Sequence, residues 1–258
     1  MKSMKRVDIL GCAFDSISFS ETVGTIRRTL LEGGRLQVVP GSIDFVMKAR
    51  QDPLFSAELW RADLVVADGV PIVWAASLLG SGLRGRVSGT ELVWSCAQLS
   101  SEMGCSVAMI GATPDIVRRA AVAMQRRFPR ASLHPIPTPF PLGPEENQLV
   151  VEEIRKANAE IVLVALGAPK QERWVQAHLE RCGASVGIGI GSAFDIICGD
   201  KPRAPQWMQR MGLEWLYRML QEPRRLGRRY LIEDSPFLFH LAAELMRRRS
   251  LPSLGGRA

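Results

Sequence analysis

Short, nearly all-apolar runs rich in β-branched residues recur along the chain, and stretches with helical periodicity lie between them. The runs cover residues 7–11, 35–39, 64–67, 106–110, 132–136, 161–166 and 185–190. Between them, residues 70–79, 91–103, 114–128, 144–158 and 170–182 place their apolar side chains on one helical face. Runs that are apolar without alternation suit strands buried on both faces, and helices of this length supply the crossovers between parallel neighbours. The pattern predicts an α/β fold with a Rossmann-like, mostly parallel sheet and helices on both faces. Ligands of such sheets sit beyond the carboxyl ends of the strands, so the residues that follow each run are the ones to read for chemistry.

Two regions break the pattern. Residues 134–144 hold five prolines and read as an extended, exposed loop, neither helix nor central strand. Beyond Gly199, residues 204–221 read as a helix rich in Trp, Met and Arg, with Trp207 and Trp215 in its core. Pro223 ends that helix, and residues 224–232 and 236–249 read as two more. The expected division is a catalytic core over 1–200, a helical basic appendage over 201–249 and a disordered tail over 250–258.

Charge sharpens this division. Residues 1–200 carry 21 basic and 21 acidic side chains, whereas the remainder carries 12 basic and 5 acidic, so the whole net charge of +7 lies in the last segment. A neutral body with a basic tail meets something anionic: phosphate, nucleic acid or an acidic membrane surface. Nucleic acid is disfavoured because no aromatic side chains are interleaved with the tail arginines to stack on bases. With 258 residues, 47% hydrophobic and 23% charged, the chain is a folded protein with room for a large core. Five scattered cysteines without a CxxC pair read as the reduced thiols of a cytosolic protein, and the three histidines lie too far apart for a metal motif. No apolar run has the length of a bilayer span or the form of a signal peptide.

The chemistry collects after the strands. Asp68, in Ala67-Asp68-Gly69-Val70-Pro71, reads either as a general base or sugar ligand, or as a cap of the next helix. Arg84 and Arg86 precede Ser88-Gly89-Thr90, where a guanidinium and helix-terminal amides can converge on an anion; the plainer reading is a solvated loop with Thr90 as N-cap. Gly167-Ala168-Pro169-Lys170-Gln171 forms a strand–turn–helix that suits phosphate or sugar but lacks P-loop spacing. The alternating glycines Gly187, Gly189 and Gly191 clear one strand face for ligand or, more often, for a packed helix. In the tail, Arg225 and Arg228 lie three apart on one helical face and Arg218 precedes the break, a grouping suited to a diphosphate or to an acidic membrane.

Taken together, the DGxxxV segment at Asp68, the RVSGTEL turn, GAPKQE, GSAFD and RAPQWMQRMGLEWLYRMLQEPRRLGRRY resemble the WecG/TagA/CpsF glycosyltransferases, glycosyltransferase family 26, over nearly the whole chain. The resemblance implies a cytosolic, inverting enzyme with a Rossmann-like core, peripheral to the inner face of the cell membrane. Such enzymes move a sugar from a UDP-sugar donor to a polyprenyl-diphosphate-linked sugar acceptor in cell-surface polysaccharide synthesis. It places Asp68 at the proposed base and Arg86 and Gln171 at the active-site Arg and Gln. Arg218, Arg225 and Arg228 fall on the tail arginines that close over the donor diphosphate. Self-association is also implied.

The substrate-binding set expected from the match and the strand-end residues is Ser42, Thr90, Gly167, Lys170, Gly191, Arg218, Arg225 and Arg228. One departure stands out: the family carries Thr-x-Asn where this chain has Pro40-Gly41-Ser42. The expected donor is N-acetylmannosamine, its uronic acid or a related hexose, and the alternatives are a glucosyltransferase of the same family or an inactive membrane-bound scaffold. With no Asp-x-Asp motif or His cluster, arginines are expected to stand where a metal would, and no cofactor is expected. Deleting everything after Gly199 is expected to leave a folded core with little turnover.

Overall fold

The computed structural model describes residues 5–139, 142–205, 207–208, 211 and 213–250, excepting the side chains of residues 224, 225, 228–230, 249 and 250. The chain opens with a hairpin, β1 (Arg6–Ile9) and β2 (Cys12–Asp15), followed by α1 (Phe19–Glu32). Then come β3 (Leu36–Gly41), α2 (Ile43–Gln51), α3 (Pro53–Arg61), β4 (Leu64–Ala67), α4 (Val70–Leu78) and α5 (Gly89–Met103). The core continues with β5 (Ser106–Gly111), α6 (Pro114–Arg127), β6 (Ser132–Ile136), α7 (Pro144–Lys156), β7 (Ala159–Ala165), α8 (Lys170–Cys182), β8 (Val186–Gly189) and α9 (Ala193–Ile197). The tail carries α10 (Glu214–Gln221), α11 (Pro223–Arg228), a π-turn over Arg229–Glu233 and α12 (Pro236–Ser250).

The six-stranded sheet has the order β4-β3-β8-β7-β5-β6, and every neighbouring pair is parallel. Successive strand residues face opposite sides. Leu64 and Val66 therefore join one core with α1, α5, α6 and α9, while Val65 and Ala67 join the other with the hairpin, α2, α3 and α4. The first predicted strand is not in this sheet. It forms the hairpin with Cys12–Asp15, a strand too short and mixed to be recognised in the apolar pattern.

The hairpin shields the edge of β4. Buried Asp15 accepts both Arg6 Nε and Nη2 at 3.0 Å and the Val65 N–H at 2.8 Å, so an otherwise unpaired edge donor is satisfied. Farther along the same edge, Val87 N–H donates to Ala67 O at 2.8 Å, which anchors the loop carrying Arg86 next to Asp68.

Pro40 lies inside β3, paired with Val66, rather than after the strand as the pattern suggested. Leu36 N–H points toward the β8 side, so the donor missing at Pro40, four residues on, faces that side too. The β3–β8 register ends at Val38–Ile188, so proline costs no ladder bond here. Pro135 lies in β6, the edge strand opposite β4. The proline-rich segment is thus strand at its start, and it is not all exposed: Ile136 and Thr138 are buried, and Thr138 Oγ1 accepts the Gly111 N–H.

The tail departs from its predicted form. Residues 204–221 are not one unbroken helix: residues 207–208 are helical, residues 211 and 213 are not, and α10 follows from Glu214. Trp207 and Trp215 are 58% and 39% exposed, not core. α12 packs back on the body, with Phe237 and Leu241 buried among residues of the hairpin, α2 and α3, and Arg248 donating to Leu79 O at 2.7 Å. The predicted disorder of residues 250–258 falls, beyond the backbone of Ser250, outside the described residues.

The glycines of β8 answer to packing. A Cβ on Gly187 would stand 2.5 Å from Val175 of α8, and one on Gly189 would stand 2.6 Å from Glu172 Oε1 and 2.7 Å from Gln171 Nε2. Gly189→Ala is expected to cost roughly 1–3 kcal/mol by overpacking and to displace the Gln171 side chain. A denaturation midpoint equal to wild type would contradict this.

Candidate active site

The carboxyl ends of β4, β3, β8 and β7 lie side by side in the sheet and end in Asp68, Ser42, Gly191 and Gly167 respectively. These are sequence-predicted positions from distant parts of the chain, brought to neighbouring strand ends at one edge of the sheet. Asp68 N–H donates to Gly41 O at 2.8 Å, extending the β3–β4 ladder by one bond and fixing the Asp backbone. The cap of α4 is Gly69, at φ +132°, so Asp68 does not cap its own helix. Its Oδ2 instead accepts the Gly89 N–H at 3.1 Å, across from the first turn of α5.

Gly89 sits closely between two site residues: a Cβ there would meet Asp68 Oδ2 at 3.4 Å and Pro40 at 3.6 Å. Pro40 is thus an apolar wall beside the carboxylate. The cap of α5 is Ser88, not Thr90, and it makes no side-chain cap bond; Thr90 is buried in the first turn. Ser42 caps α2, also without a side-chain cap bond.

Burial pushes Asp68 up to about 6 against the Gly89 amide and the Arg86 charge, which pull it down; Glu214 adds to the rise and Arg218 opposes it. A carboxylate in this state is ionised at neutral pH yet basic enough to accept a proton. These influences also place the tail: Glu214 and Arg218 of α10 are close enough to act on a group at the end of β4.

Arg86 does not stand free. Its Nη2 donates to Glu91 Oε1 at 3.0 Å and its Nη1 to Glu214 Oε2 at 3.1 Å. Arg203 shares Glu91 Oε1 at 2.6 Å and keeps a buried Nε without a partner. Arg218 lines a cavity with Ser192, Lys201, Pro202, Gln221, Glu222 and Leu226, between the end of β8 and the tail.

Gln171 is buried, and its amide is engaged on both sides. Oε1 accepts Gly167 N–H at 3.1 Å and Gly191 N–H at 3.0 Å, while Nε2 donates to Glu172 Oε1 at 2.7 Å. The amide of Gly167, in the turn read in the sequence as suited to phosphate or sugar, and that of Gly191 are thus taken up by Gln171, which ties the β7 and β8 loops together. Glu172, buried and pushed up to about 7 by desolvation, leaves its Oε2 without a partner. Lys170, at the start of α8, is exposed. The side chains of Arg225 and Arg228 lie outside the described residues; their backbone is α11. Among the described residues, no group of three or more His, Cys, Asp or Glu could hold a metal ion.

The motif reading missed Glu91, Arg203 and Glu214. Spacing could have revealed the last, because Glu214 stands four residues before Arg218 and so shares its helical face.

The model of the family described as Glycosyl transferase WecG/TagA/CpsF family matches residues 7–251. The chain is similar to N-acetylglucosaminyldiphosphoundecaprenol N-acetyl-beta-D-mannosaminyltransferase of Staphylococcus aureus strain MW2, 29% identical over 245 residues and 94% of each chain. The protein of that name from strain NCTC 8325 is 29% identical and that from strain MRSA252 28% identical, each over the same share.

Proposed function

The chain belongs to the WecG/TagA/CpsF glycosyltransferase family, and on that premise we propose that it transfers N-acetylmannosamine from its UDP derivative to an N-acetylglucosaminyl-diphosphate-polyprenol. The relatives' names support both acceptor and sugar. The observation that carries the reading is Asp68: a half-buried carboxylate at a strand end, held by the Gly89 amide and flanked by Arg86 and Arg218.

In the proposed reaction the acceptor hydroxyl attacks the anomeric carbon. Its proton passes to Asp68 as the new C–O bond forms, the bond to the donor's phosphate oxygen breaks, and UDP departs with inversion. Charge growing on UDP is met by Arg218; the family resemblance assigns Arg225 and Arg228 to the same task, and the strand-end position of Lys170 suits it to join them. Gln171 holds the two loops that frame the sugar, and Ser42 and Thr90 line the crevice.

The acceptor is lipid-linked in this reading, so the enzyme works at a membrane surface. No helix among the described residues is long and apolar enough to cross one. The exposed Leu231, Ile232, Leu238, Phe239 and Met246, on a segment holding the chain's charge surplus, support docking on an anionic leaflet.

Pro40 and Ser42 bear on donor choice, because Pro40 replaces a hydroxyl with an apolar wall next to Asp68. The test is UDP release on mixing the protein with a short-chain prenyl-diphosphate-N-acetylglucosamine and single UDP-sugars. N-acetylmannosaminyl transfer is expected. Release only with UDP-glucose would make it a glucosyltransferase of the same family, and release with no donor would leave a scaffold.

A further inference from the structure

Helix α10 carries Glu214, Arg218 and Glu222, at its start, in its middle and at its C-cap, four residues apart, so all three project from one face. The outer two are each paired with a cation, Arg86 of the body and Lys201, which is itself held by the body. Glu214 Oε2 accepts Arg86 Nη1 at 3.1 Å, and Arg86 is held from the other side by Glu91 of α5. Glu222 Oε1 lies 3.7 Å from Lys201 Nζ, which is bound at 2.8 Å to Asp195 of α9. Arg218 stands between these two fastenings, lines the cavity at the end of β8 and acts on Asp68.

We propose that Glu214 is a positioning residue: with Glu222 it clamps α10 across the crevice at both ends, and so holds Arg218 where the proposed reaction needs it. The inference rests on the proposed function only for what Arg218 does; the clamp itself stands on contacts within the chain. Arg86 then has a part beyond ligand binding, as the body's half of the fastening nearer Asp68. With side chains only 20% and 26% exposed, Arg86 and Glu214 form a more sheltered pair than most surface ion pairs, and their coupling is correspondingly less screened. Apolar packing adds less here: α10 has no fully buried residue, its Leu216, Tyr217 and Met219 are only partly buried, and Leu220 is 69% exposed.

The test measures hydrogen exchange of the α10 amides in the full chain, which needs no substrate. Glu214→Gln is expected to speed exchange across 214–221 by roughly tenfold, with far-UV circular dichroism and melting temperature unchanged. Arg86→Gln should do the same, and the double variant should add little to either, because both cut one bond. Glu222→Gln loosens the other end, and Glu214→Asp restores part of the protection. In turnover, Glu214→Gln lowers kcat more than it raises KM. Wild-type exchange in Glu214→Gln, or full additivity with Arg86→Gln, overturns the clamp. Absence of turnover in the wild-type chain with every donor would instead remove the proposed function, and the exchange result would still decide the clamp.

Discussion

Asp68→Asn is expected to lower kcat by about 10²- to 10⁴-fold, the range a positioned general base contributes, while the protein melts close to wild type. The amide has the shape of the carboxylate, and its oxygen can still accept the Gly89 N–H that Asp68 Oδ2 accepts at 3.1 Å. What it cannot do is take the acceptor's proton. In the wild type, burial holds Asp68 near 6, above the ordinary aspartate range. The base works only when ionised, so kcat/KM rises with pH through about 6 and then levels, and the variant lacks that limb. The sign for stability is opposite. A carboxyl whose folded pKa is raised favours folding in its protonated form, and that contribution fades as pH rises from the unfolded value through about 6. The Asn variant carries no such loss and is expected to be at least as stable at pH 7. Wild-type turnover in Asp68→Asn would remove this residue from the chemistry.

Arg218→Gln is expected to lower kcat by about 10²- to 10³-fold, the size of effect seen when one preorganised donor to developing charge is lost. The guanidinium lies in the cavity with Ser192 and Lys201 and also steadies ionised Asp68. Its removal should therefore move the acid limb to higher pH. Arg218→Lys keeps the charge but not the fork, and should recover only part of the rate. Because arginines are proposed to balance the leaving diphosphate, a chelator such as EDTA should leave the wild-type rate unchanged. An unaltered kcat in Arg218→Gln, or a rate abolished by chelation and restored by magnesium, would overturn this assignment.

Most of the sheet was legible because its strands announce themselves. Residues 64–67 and 132–136, and helix 170–182, stand where the periodicity puts them. Parallel strands buried on both faces leave little choice of residue, and capping and proline signals mark the helices between them. The hairpin partner Cys12–Asp15 was not legible, since four residues carry too little pattern; it is fixed by burial of Cys12 and Phe14 in the core and by Asp15 meeting Arg6 and Val65. The tail was misread for a related reason: Trp and Met suggest a core, yet Trp207 and Trp215 face outward. At the site, Asp68, Arg86 and Gln171 could be picked out by position, but their partners could not. Gln171 spans two loops whose glycines lie 24 residues apart, at Gly167 and Gly191, and Arg86 meets a residue 128 positions away. Such contacts exist only once the topology has closed.

The burial of Phe237 and Leu241 against the opening hairpin has a bearing on biosynthesis. The hairpin and the helix that covers it lie more than 200 residues apart in the chain, so the cover is translated long after the strands. That cluster therefore stays open through most of synthesis, and its closing step joins elements of long sequence separation. Nascent chains that stall before α12 would display the uncovered face and be drawn to chaperones or proteases, so the cell would hold chains that carry α12 in preference to those that stop short of it.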